Sequence, residues 1–231
     1  ITLNNANAFT GTVALNTTGS SGNATVVDAS GLNLAASTVG GNLIATATTG
    51  NMEDSGVLTI AGTSSFTTSA DNADIILNNA NAFTGAVALN TTGSSGHATV
   101  VDASGLNLAA STVGGNLIAT ATTGNMTDDG ALAITGTTTL TTSANDATIA
   151  LDTTTNAFTG AVTITTNDND GTAADVTIDG GTTALILAES TIDGDLTVRS
   201  GNASGITDSG TVTVGGSLFA TTDENNGVIN L

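Results

Sequence analysis

Aliphatic and polar residues alternate in short runs along the whole chain. In the run "VLTI", Leu58 and Ile60 lie on one side of an extended strand, and Val57 and Thr59 lie on the other. Because successive side chains of a β-strand point to opposite faces, this period of two predicts a strand. Turn-forming stretches such as "GSSGN" and "DASG" separate the runs. The pattern therefore predicts an all-β protein of short strands joined by tight corners.

The pattern also repeats at a fixed interval. Residues 14–52 recur at 88–126 with one change in 39 positions, Asn23 to His97, and a third, diverged copy follows. Repeats on this scale are typical of solenoids, in which each unit packs only against its neighbours. We therefore predict one continuous β-solenoid over residues 1–231, with internal repeats 4–77, 78–151 and 152–231.

Each repeat divides into three rounds of strands and corners, with about 25 residues per round, which predicts a parallel β-helix of about nine coils. The alternative is a string of β-sandwich domains, one per repeat. Such domains usually have aromatic cores and linkers, whereas this chain has no Trp or Tyr, five Phe and no linker composition. The motif "AFTG" would form a corner at every third coil; it occupies residues 8–11, 82–85 and 157–160.

Charge and composition exclude several functions. Twenty acidic residues against one basic residue, Arg199, give a formal net charge of −19. A surface of this sign repels nucleic acid and anionic lipid, so we expect neither nucleic-acid binding nor membrane insertion. The chain has no cysteine, which removes disulfides and thiolate metal sites. No stretch approaches the roughly 20 apolar residues of a membrane-spanning helix.

Residues suited to catalysis are scarce. His97 is the only histidine, and its equivalent in the first repeat is Asn23, which indicates a tolerated substitution at an exposed corner. Asp193 and Asp195 are two residues apart and could share a strand face, as in β-helix enzymes that degrade polysaccharides. Both border Gly194, however, where aspartate commonly forms turns. We therefore expect no enzymatic activity, with a polysaccharide-degrading enzyme as the remaining alternative.

One stretch is a candidate metal site. In "TNDNDG", Asp168, Asp170 and Gly171 fall at the third, fifth and sixth positions of an EF-hand-like loop, and oxygen ligands suit Ca²⁺. Thr166 and Thr177 stand at the first and twelfth positions, where such a loop requires carboxylates. Asp168 and Asp170 are thus the candidate Ca²⁺ ligands, and no other cofactor is expected.

Threonine-rich strands raise the possibility of ice binding, because stacked coils can present threonine in rows. Equivalent positions in successive repeats do not keep the residue, however: Thr59 becomes Ala133 and then Thr213. On this comparison the rows are interrupted, and ice binding is a minor alternative. The chain opens with "ITLNN" and closes with "GVINL", both in the phase of core strands, so we expect further repeats or copies of the chain to stack end to end.

The stretch from Thr38 to Ala70 resembles the repeats of filamentous-haemagglutinin-type exoproteins and related autotransporter passengers. It has their order of strand, Gly-Gly-x-Leu, Gly-Asn corner, Asp-Ser-Gly corner and aliphatic strand. The resemblance implies a right-handed β-helix that is exported and displayed at the bacterial cell surface, as part of an adhesin or a biofilm-matrix filament. It also implies an alternative function, a module that binds cell-surface glycans or a host surface.

Overall fold

The computed structural model describes residues 1–167 and 174–231. In these residues the chain forms β-strands and corners, with no helix. Strands pair with strands one coil earlier and one coil later, always in parallel. In chain order the strands are β1 (Thr2–Asn7), β2 (Ala24–Asp28), β3 (Leu32–Leu34), β4 (Ser37–Val39), β5 (Leu43–Ala47), β6 (Met52–Asp54), β7 (Leu58–Ile60), β8 (Ser64–Asp71), β9 (Ile75–Phe83), β10 (Val87–Thr92), β11 (Ala98–Asp102), β12 (Leu106–Leu108), β13 (Ser111–Val113), β14 (Leu117–Ala121), β15 (Met126–Asp128), β16 (Leu132–Ile134), β17 (Thr138–Asn145), β18 (Ile149–Leu151), β19 (Ala157–Phe158), β20 (Val162–Asn167), β21 (Val176–Asp179), β22 (Leu185–Leu187), β23 (Ser190–Ile192), β24 (Leu196–Ser200), β25 (Ile206–Asp208), β26 (Val212–Val214), β27 (Leu218–Thr222) and β28 (Ile229–Asn230).

The strands of the described residues form two sheets of fourteen strands each. Sheet one runs through β1, β2, β5, β8, β10, β12, β15, β18, β21, β24 and β27, and sheet two runs from β3 to β28. Inward aliphatic side chains of both sheets form one hydrophobic cluster along the length of the molecule. These features confirm the predicted fold class, an all-β parallel β-solenoid.

The predicted number of coils was too low. Sheet one passes through eleven strands between Thr2 and Leu218 in the described part of the chain, so a coil averages about 22 residues. The step between registered partners varies, from 19 residues between Ala24 and Leu43 to 27 between Ile149 and Val176. The prediction of nine coils failed because it assumed that each repeat contains a whole number of coils of equal length.

Each 74-residue repeat instead spans three and a half coils. Leu3, Leu77 and Leu151 occupy the same position in successive repeats, yet they lie in sheet one, sheet two and sheet one respectively. Other equivalent strands alternate in the same way, for example β2, β11 and β21. The "AFTG" corners therefore occur every three and a half coils, on alternating sides of the solenoid.

Because each repeat ends half a coil out of phase, the sheet that contains the longer strands also changes from one repeat to the next. In the first repeat the longer strands β2, β5 and β8 lie in sheet one, opposite the three-residue strands β3, β4, β6 and β7 in sheet two. In the second repeat the longer strands β11, β14 and β17 lie in sheet two, and the short strands lie in sheet one. Each side of the solenoid thus presents both types of surface in turn.

Candidate functional site

Columns of stacked glycines form corners of the solenoid, and two of them explain the last residue of the second and third "AFTG" motifs. In the first column, Gly62 donates its N–H to the Gly41 carbonyl at 3.0 Å. A Cβ on Gly85, the glycine of the second "AFTG", would lie 2.5 Å from the Gly62 carbonyl oxygen. No side chain fits at that distance, so the coils can stack at this corner only through glycine. These two columns are Gly22, Gly41, Gly62 and Gly85, and Gly96, Gly115, Gly136 and Gly160.

A ladder of side-chain acceptors runs beside each glycine column. Oδ1 of Asn23 accepts the N–H of Asn42 at 2.8 Å, and Oδ1 of Asn42 accepts the N–H of Thr63 at 2.9 Å. In the second repeat, Nδ1 of His97 accepts the N–H of Asn116 at 2.8 Å. Because every such bond joins one coil to the next, these residues stabilise stacking rather than the individual coil. The structure gives His97 this structural role at a partly buried corner.

The third repeat builds the same ladder from carboxylates. Oδ1 of Asp175 accepts the N–H of Asp195 at 2.8 Å, and Oδ1 of Asp195 accepts the N–H of Ser217 at 2.6 Å. The N–H of Asp193 donates to Oγ1 of Thr166 at 3.0 Å. The carboxylate of Asp195, considered above as a catalytic group, is therefore used as a corner acceptor.

The predicted Ca²⁺ ligands Asp168 and Asp170 lie outside the described residues. Across the two described ranges, no group of three or more His, Asp or Glu side chains is arranged to hold a metal ion. Ca²⁺ binding at Asp168 and Asp170 stays a prediction.

Buried aspartates fasten the first two "AFTG" corners to the next coil. Asp102 is fully buried, and its Oδ2 accepts the N–H of Phe83 at 3.3 Å. Its Oδ1 accepts the N–H and the hydroxyl of Ser104, both at 2.9 Å. Burial raises the pKa of Asp102, and the hydrogen bonds from Ser104 and Phe83 partly offset this shift. Asp28 makes the same contacts to Phe9 and Ser30 in the first repeat.

The asparagine before "AFTG" is a second buried polar residue. Oδ1 of Asn81 accepts the N–H of Leu58 at 2.8 Å, and its Nδ2 donates to Oδ2 of Asp54 at 2.7 Å. Asn156 bonds in the same way to Leu132 and Asp128. The sequence contained a signal for this role, because the motif reads "NAFTG" in all three copies.

Asp128 also has a shifted pKa. Burial raises the pKa of Asp128, and hydrogen bonds from the Asn156 side chain and from the N–H groups of Thr153 and Asp152 partly offset the shift. The two aspartates with a raised pKa, Asp102 and Asp128, thus stand at the last position of a strand, and each accepts a hydrogen bond from a residue of another coil.

Inward-facing serines make a third type of hydrogen bond between coils. Oγ of Ser111 accepts the N–H of Leu89 at 3.0 Å and donates to the Ala109 carbonyl at 2.8 Å. The longer strand β10 pairs with both β12 and β13 here, so the serine bonds a backbone N–H at the junction between the two short strands. Ser37 and Ser190 make the same pair of bonds in the other repeats.

Acidic residues are concentrated at the ends of the strands and at the corners of the solenoid. Of the twenty acidic residues, the structure describes all but Asp168 and Asp170, and among those eighteen only Glu53 stands in the middle of a strand. The others lie at strand ends, corners or loops. Arg199 faces outward from β24, where its Nε lies 2.6 Å from Oδ2 of Asp223 and 3.9 Å from Oδ2 of Asp179. The hydrogen bond from Arg199 to Asp223 raises the pKa of Arg199.

Two shallow grooves lie near these corners. One, of about 450 Å³, is lined by Asn33, Asn51, Glu53 and neighbouring glycines. The other, of about 310 Å³, contains Asp74, His97 and the exposed Ile118. In the second groove the Asp74 carboxylate accepts the backbone N–H of His97 at 2.8 Å, and the imidazole Nδ1 is already bonded to Asn116. The groups there are organised to hold corners together.

Comparison with known proteins places the chain in a family. The sequence profile of DUF5649, described as repeats of unknown function, matches residues 21–90, 95–165 and 173–231. The chain belongs to the DUF5649 repeat family. No curated protein and no solved structure matches it. The first two DUF5649 matches begin just before β2 and β11, equivalent strands that lie in sheet one and sheet two.

The DUF5649 chain contains no helix that is long and apolar enough to cross a membrane, as far as the described ranges extend. The family match and the fold together establish a repeat protein with β-solenoid architecture.

Proposed function

We propose that this chain is a rigid structural segment, a stalk or filament element, of an extracellular bacterial fibre or giant surface adhesin. It acts through its shape and through coil stacking, without a reaction. The observation that carries the proposal is that the buried polar contacts join one coil to the next. Asn81 reaches Leu58, Ser111 reaches Leu89 and Asp102 reaches Phe83, each across 19 to 23 residues.

Such bonds stiffen a rod along its axis. A solenoid has no contacts between distant coils, so its resistance to bending and unstacking depends on bonds between neighbouring coils. Here the backbone ladders, the glycine columns and the side-chain ladders all act across the same interface between neighbouring coils. The uninterrupted path of sheet one from β1 to β27 suits a stalk that transmits force.

The last coil presents a surface that another coil could cover. The side chain of Leu218 is 44 % exposed, whereas its registered partner Leu196, one coil earlier, is fully buried. Ile229 and Leu231 are also about half exposed. The surface formed by these residues is apolar and carries an unpaired strand edge, as each internal coil does for its neighbour. We propose that further repeats of the same polypeptide, or copies of the chain stacked end to end, associate through the same coil-to-coil hydrogen bonds that join the internal coils.

Location is inferred from two features. The stretch from Thr38 to Ala70 resembles filamentous-haemagglutinin-type and autotransporter-passenger repeats, which supports export to the bacterial cell surface. A net charge of −19 with acids at the corners keeps such a rod soluble and keeps parallel rods apart. Digestion of intact producer cells with an external protease tests the location. Loss of the protein from intact cells supports surface display, and full protection until lysis contradicts it.

The stalk function is tested by joining two copies of the chain in different phases. Leu231 stands at the same repeat position as Leu3, so joining residue 231 directly to residue 4 of a second copy preserves the repeat. We expect one straight rod of roughly 100 Å, since coils are spaced about 4.8 Å apart. Joining residue 231 to residue 1 duplicates three residues and is the matched control; we expect a kink or a hinge. Two independent bodies in both proteins, seen by small-angle scattering and electron microscopy, would contradict the stalk.

The mass of the native polypeptide under denaturing conditions separates the two forms of stacking. A mass far above 22.2 kDa indicates a covalent array of repeats, and a mass near 22.2 kDa indicates end-to-end assembly of separate chains. For a mass near 22.2 kDa, higher-order filaments at neutral pH are also required, and a monomer without filaments would contradict end-to-end assembly.

A further inference from the structure

Five threonines stack in register on the outer face of sheet two. Thr120 pairs with Thr141, Thr141 with Thr165, Thr165 with Thr191, and Thr191 with Thr213. They belong to five successive coils, on β14, β17, β20, β23 and β26. Thr165, Thr191 and Thr213 are exposed, and Thr120 and Thr141 are partly exposed. We call these five residues the threonine row.

A comparison of repeats cannot find this row. Equivalent residues of successive repeats lie on opposite faces because a repeat spans three and a half coils: Thr59 and Thr213 lie in sheet two and Ala133 lies in sheet one, so the three do not form one column. The residues that stack come from different positions of the repeat, about 22 residues apart. The sequence comparison found an interrupted row because it compared residues at the same position of each repeat, and these residues are not the ones that stack on successive coils.

A second, shorter row lies beside the first. Thr139 and Thr163 are registered partners on β17 and β20, two residues before Thr141 and Thr165 on the same strands. Hydroxyl groups on this part of the face repeat about every 4.8 Å between coils and about every 6.6 Å along a strand. Each threonine also contributes a methyl group. On β17 and β20 the face is therefore a two-by-two array of threonine hydroxyl and methyl groups, which the threonine row extends to the other three coils, while Ile118 is the registered neighbour of Thr139 on β14.

The strands that carry the threonines are anchored by their buried inward-facing side chains. The residues that alternate with the threonines on three of these strands are Ala119, Leu140 and Ile164, each with no exposed surface. β-Branched side chains have few rotamers, so little freedom remains to be lost when the array binds an ordered partner. A fixed set of hydroxyls can order a layer of bound water at low additional cost in entropy.

Charge decides between possible partners of this face. The strands of the threonine row carry no charged residue at an outward position, although the chain has a net charge of −19. A second copy of the chain lying side by side on this face would bring the acidic corners of two strongly negative molecules together along their length, which disfavours it. A neutral partner with a regular lattice meets neither repulsion nor an unpaired charge. Crystalline water has both properties, and its lattice is built from the hydrogen bonds that hydroxyls make.

We propose that the threonine row, with Thr139 and Thr163 beside it, is an ice-binding face. The face would anchor its own ordered water layer and merge it with the surface of an ice crystal. This function adds to the stalk function and does not depend on it.

The opposite side of the solenoid supplies a matched control. The equivalent residues stack there as Thr46, Thr67, Asn90, Thr112 and Ala133, a row interrupted by asparagine and alanine. The double variant Thr165→Asn/Thr213→Ala copies this interrupted row onto sheet two, with residues that the fold already accepts at the equivalent positions. The reverse variant, Asn90→Thr/Ala133→Thr, completes a second threonine row on sheet one.

The test measures freezing hysteresis and ice-crystal shape for the 231-residue chain. We expect faceted crystals and a measurable hysteresis for the original chain, loss of both for Thr165→Asn/Thr213→Ala, and retained or increased hysteresis for Asn90→Thr/Ala133→Thr. Unchanged circular dichroism of each variant shows that the fold is intact.

Rounded crystals that grow as in buffer alone would overturn the proposal, as would equal hysteresis of the original chain and Thr165→Asn/Thr213→Ala. Cosedimentation with crystalline cellulose or chitin is measured in parallel. Binding to these polysaccharides without any effect on ice would overturn ice binding and assign the face to a neutral glycan instead.

Discussion

His97 and Asn23 make the same hydrogen bond at opposite corners of the solenoid. Nδ1 of His97 accepts the N–H of Asn116 at 2.8 Å, and Oδ1 of Asn23 accepts the N–H of Asn42 at 2.8 Å. An imidazole nitrogen and an amide oxygen are thus interchangeable at this corner, because both present one acceptor to the next coil.

The first prediction follows from this equivalence. His97→Asn should change the free energy of unfolding by less than about 0.5 kcal/mol, whereas His97→Ala removes the acceptor and should cost about 0.5–1.5 kcal/mol. Hydrogen exchange of the Asn116 amide gives the local readout. We expect faster exchange in His97→Ala and unchanged exchange in His97→Asn; equal exchange in both variants would show that the bond to Nδ1 does not form.

The two glycines of "AFTG" motifs should respond oppositely to alanine. A Cβ on Gly85 would meet the Gly62 carbonyl at 2.5 Å, whereas nothing lies within 4 Å of a Cβ on Gly11. Gly85→Ala should destabilise the chain by about 1–3 kcal/mol or more, because the coils must separate locally. Gly11→Ala should be neutral or stabilising by up to about 1 kcal/mol, since it only restricts the unfolded chain. Chemical denaturation of the two variants checks the pair, and equal effects would contradict the glycine column.

Removal of the buried amide should be costly. Asn81→Ala leaves the N–H of Leu58 without an acceptor and removes one of the hydrogen bonds to the Asp54 carboxylate, and we expect a loss of about 1–3 kcal/mol. Asn78→Ala is the control, because it makes the same substitution at an exposed position of the same strand, β9, and it should have little effect. If both variants unfold at the same denaturant concentration, the buried bonds of Asn81 contribute nothing to stability.

The raised pKa of Asp128 predicts the direction of a pH dependence. Its folded-state pKa lies above the ordinary value, so folding favours the protonated form. This group therefore contributes most to the free energy of unfolding at low pH, and the contribution is lost as the pH rises through the folded-state pKa. Asp128→Asn should be relatively more stable than the original chain at about pH 7, and this advantage should shrink toward about pH 4.

Asp129→Asn is the control for this measurement, because Asp129 is exposed beside Asp128. Denaturant titrations of the three proteins at several pH values give the result. An advantage of Asp128→Asn that grows as the pH falls would show that the partly buried carboxylate of Asp128 is stabilised in its charged form.

Much of the fold could be predicted from the sequence, and the reasons are local. The alternation at Leu58 and Ile60 correctly placed both side chains in the core, where they are fully buried. The number of coils could not be predicted, because it depends on corner lengths that vary between coils, as the 19- and 27-residue steps show. Corner residues are polar throughout the chain, so the sequence pattern does not show which corner residue of one coil stacks on which corner residue of the next.

The candidate sites were predicted less completely. His97 lies at a corner, as predicted, but it is partly buried where an exposed corner was expected, and the inward positions of Asp28 and Asn81 were not recognised. A polar residue that points inward at a strand end has the same sequence context as one that forms a turn. Only the register between coils shows that these side chains bond to a backbone N–H of a neighbouring coil.

The most direct test of the account concerns the step of three and a half coils per repeat. Thr46 and Thr120 are equivalent residues that should lie on opposite faces, whereas Thr46 and Thr112 lie in one row, three coils apart. The chain has no cysteine, so spin labels can be attached at introduced cysteines and the distance measured by dipolar EPR spectroscopy.

We expect about 14 Å for the pair at 46 and 112, and a clearly longer distance, above about 20 Å with the labels pointing apart, for the pair at 46 and 120. The reverse result, about 14 Å for the pair at 46 and 120 and a longer distance for the pair at 46 and 112, would mean that a repeat contains three whole coils. That result would contradict the alternation of faces and, with it, the threonine row.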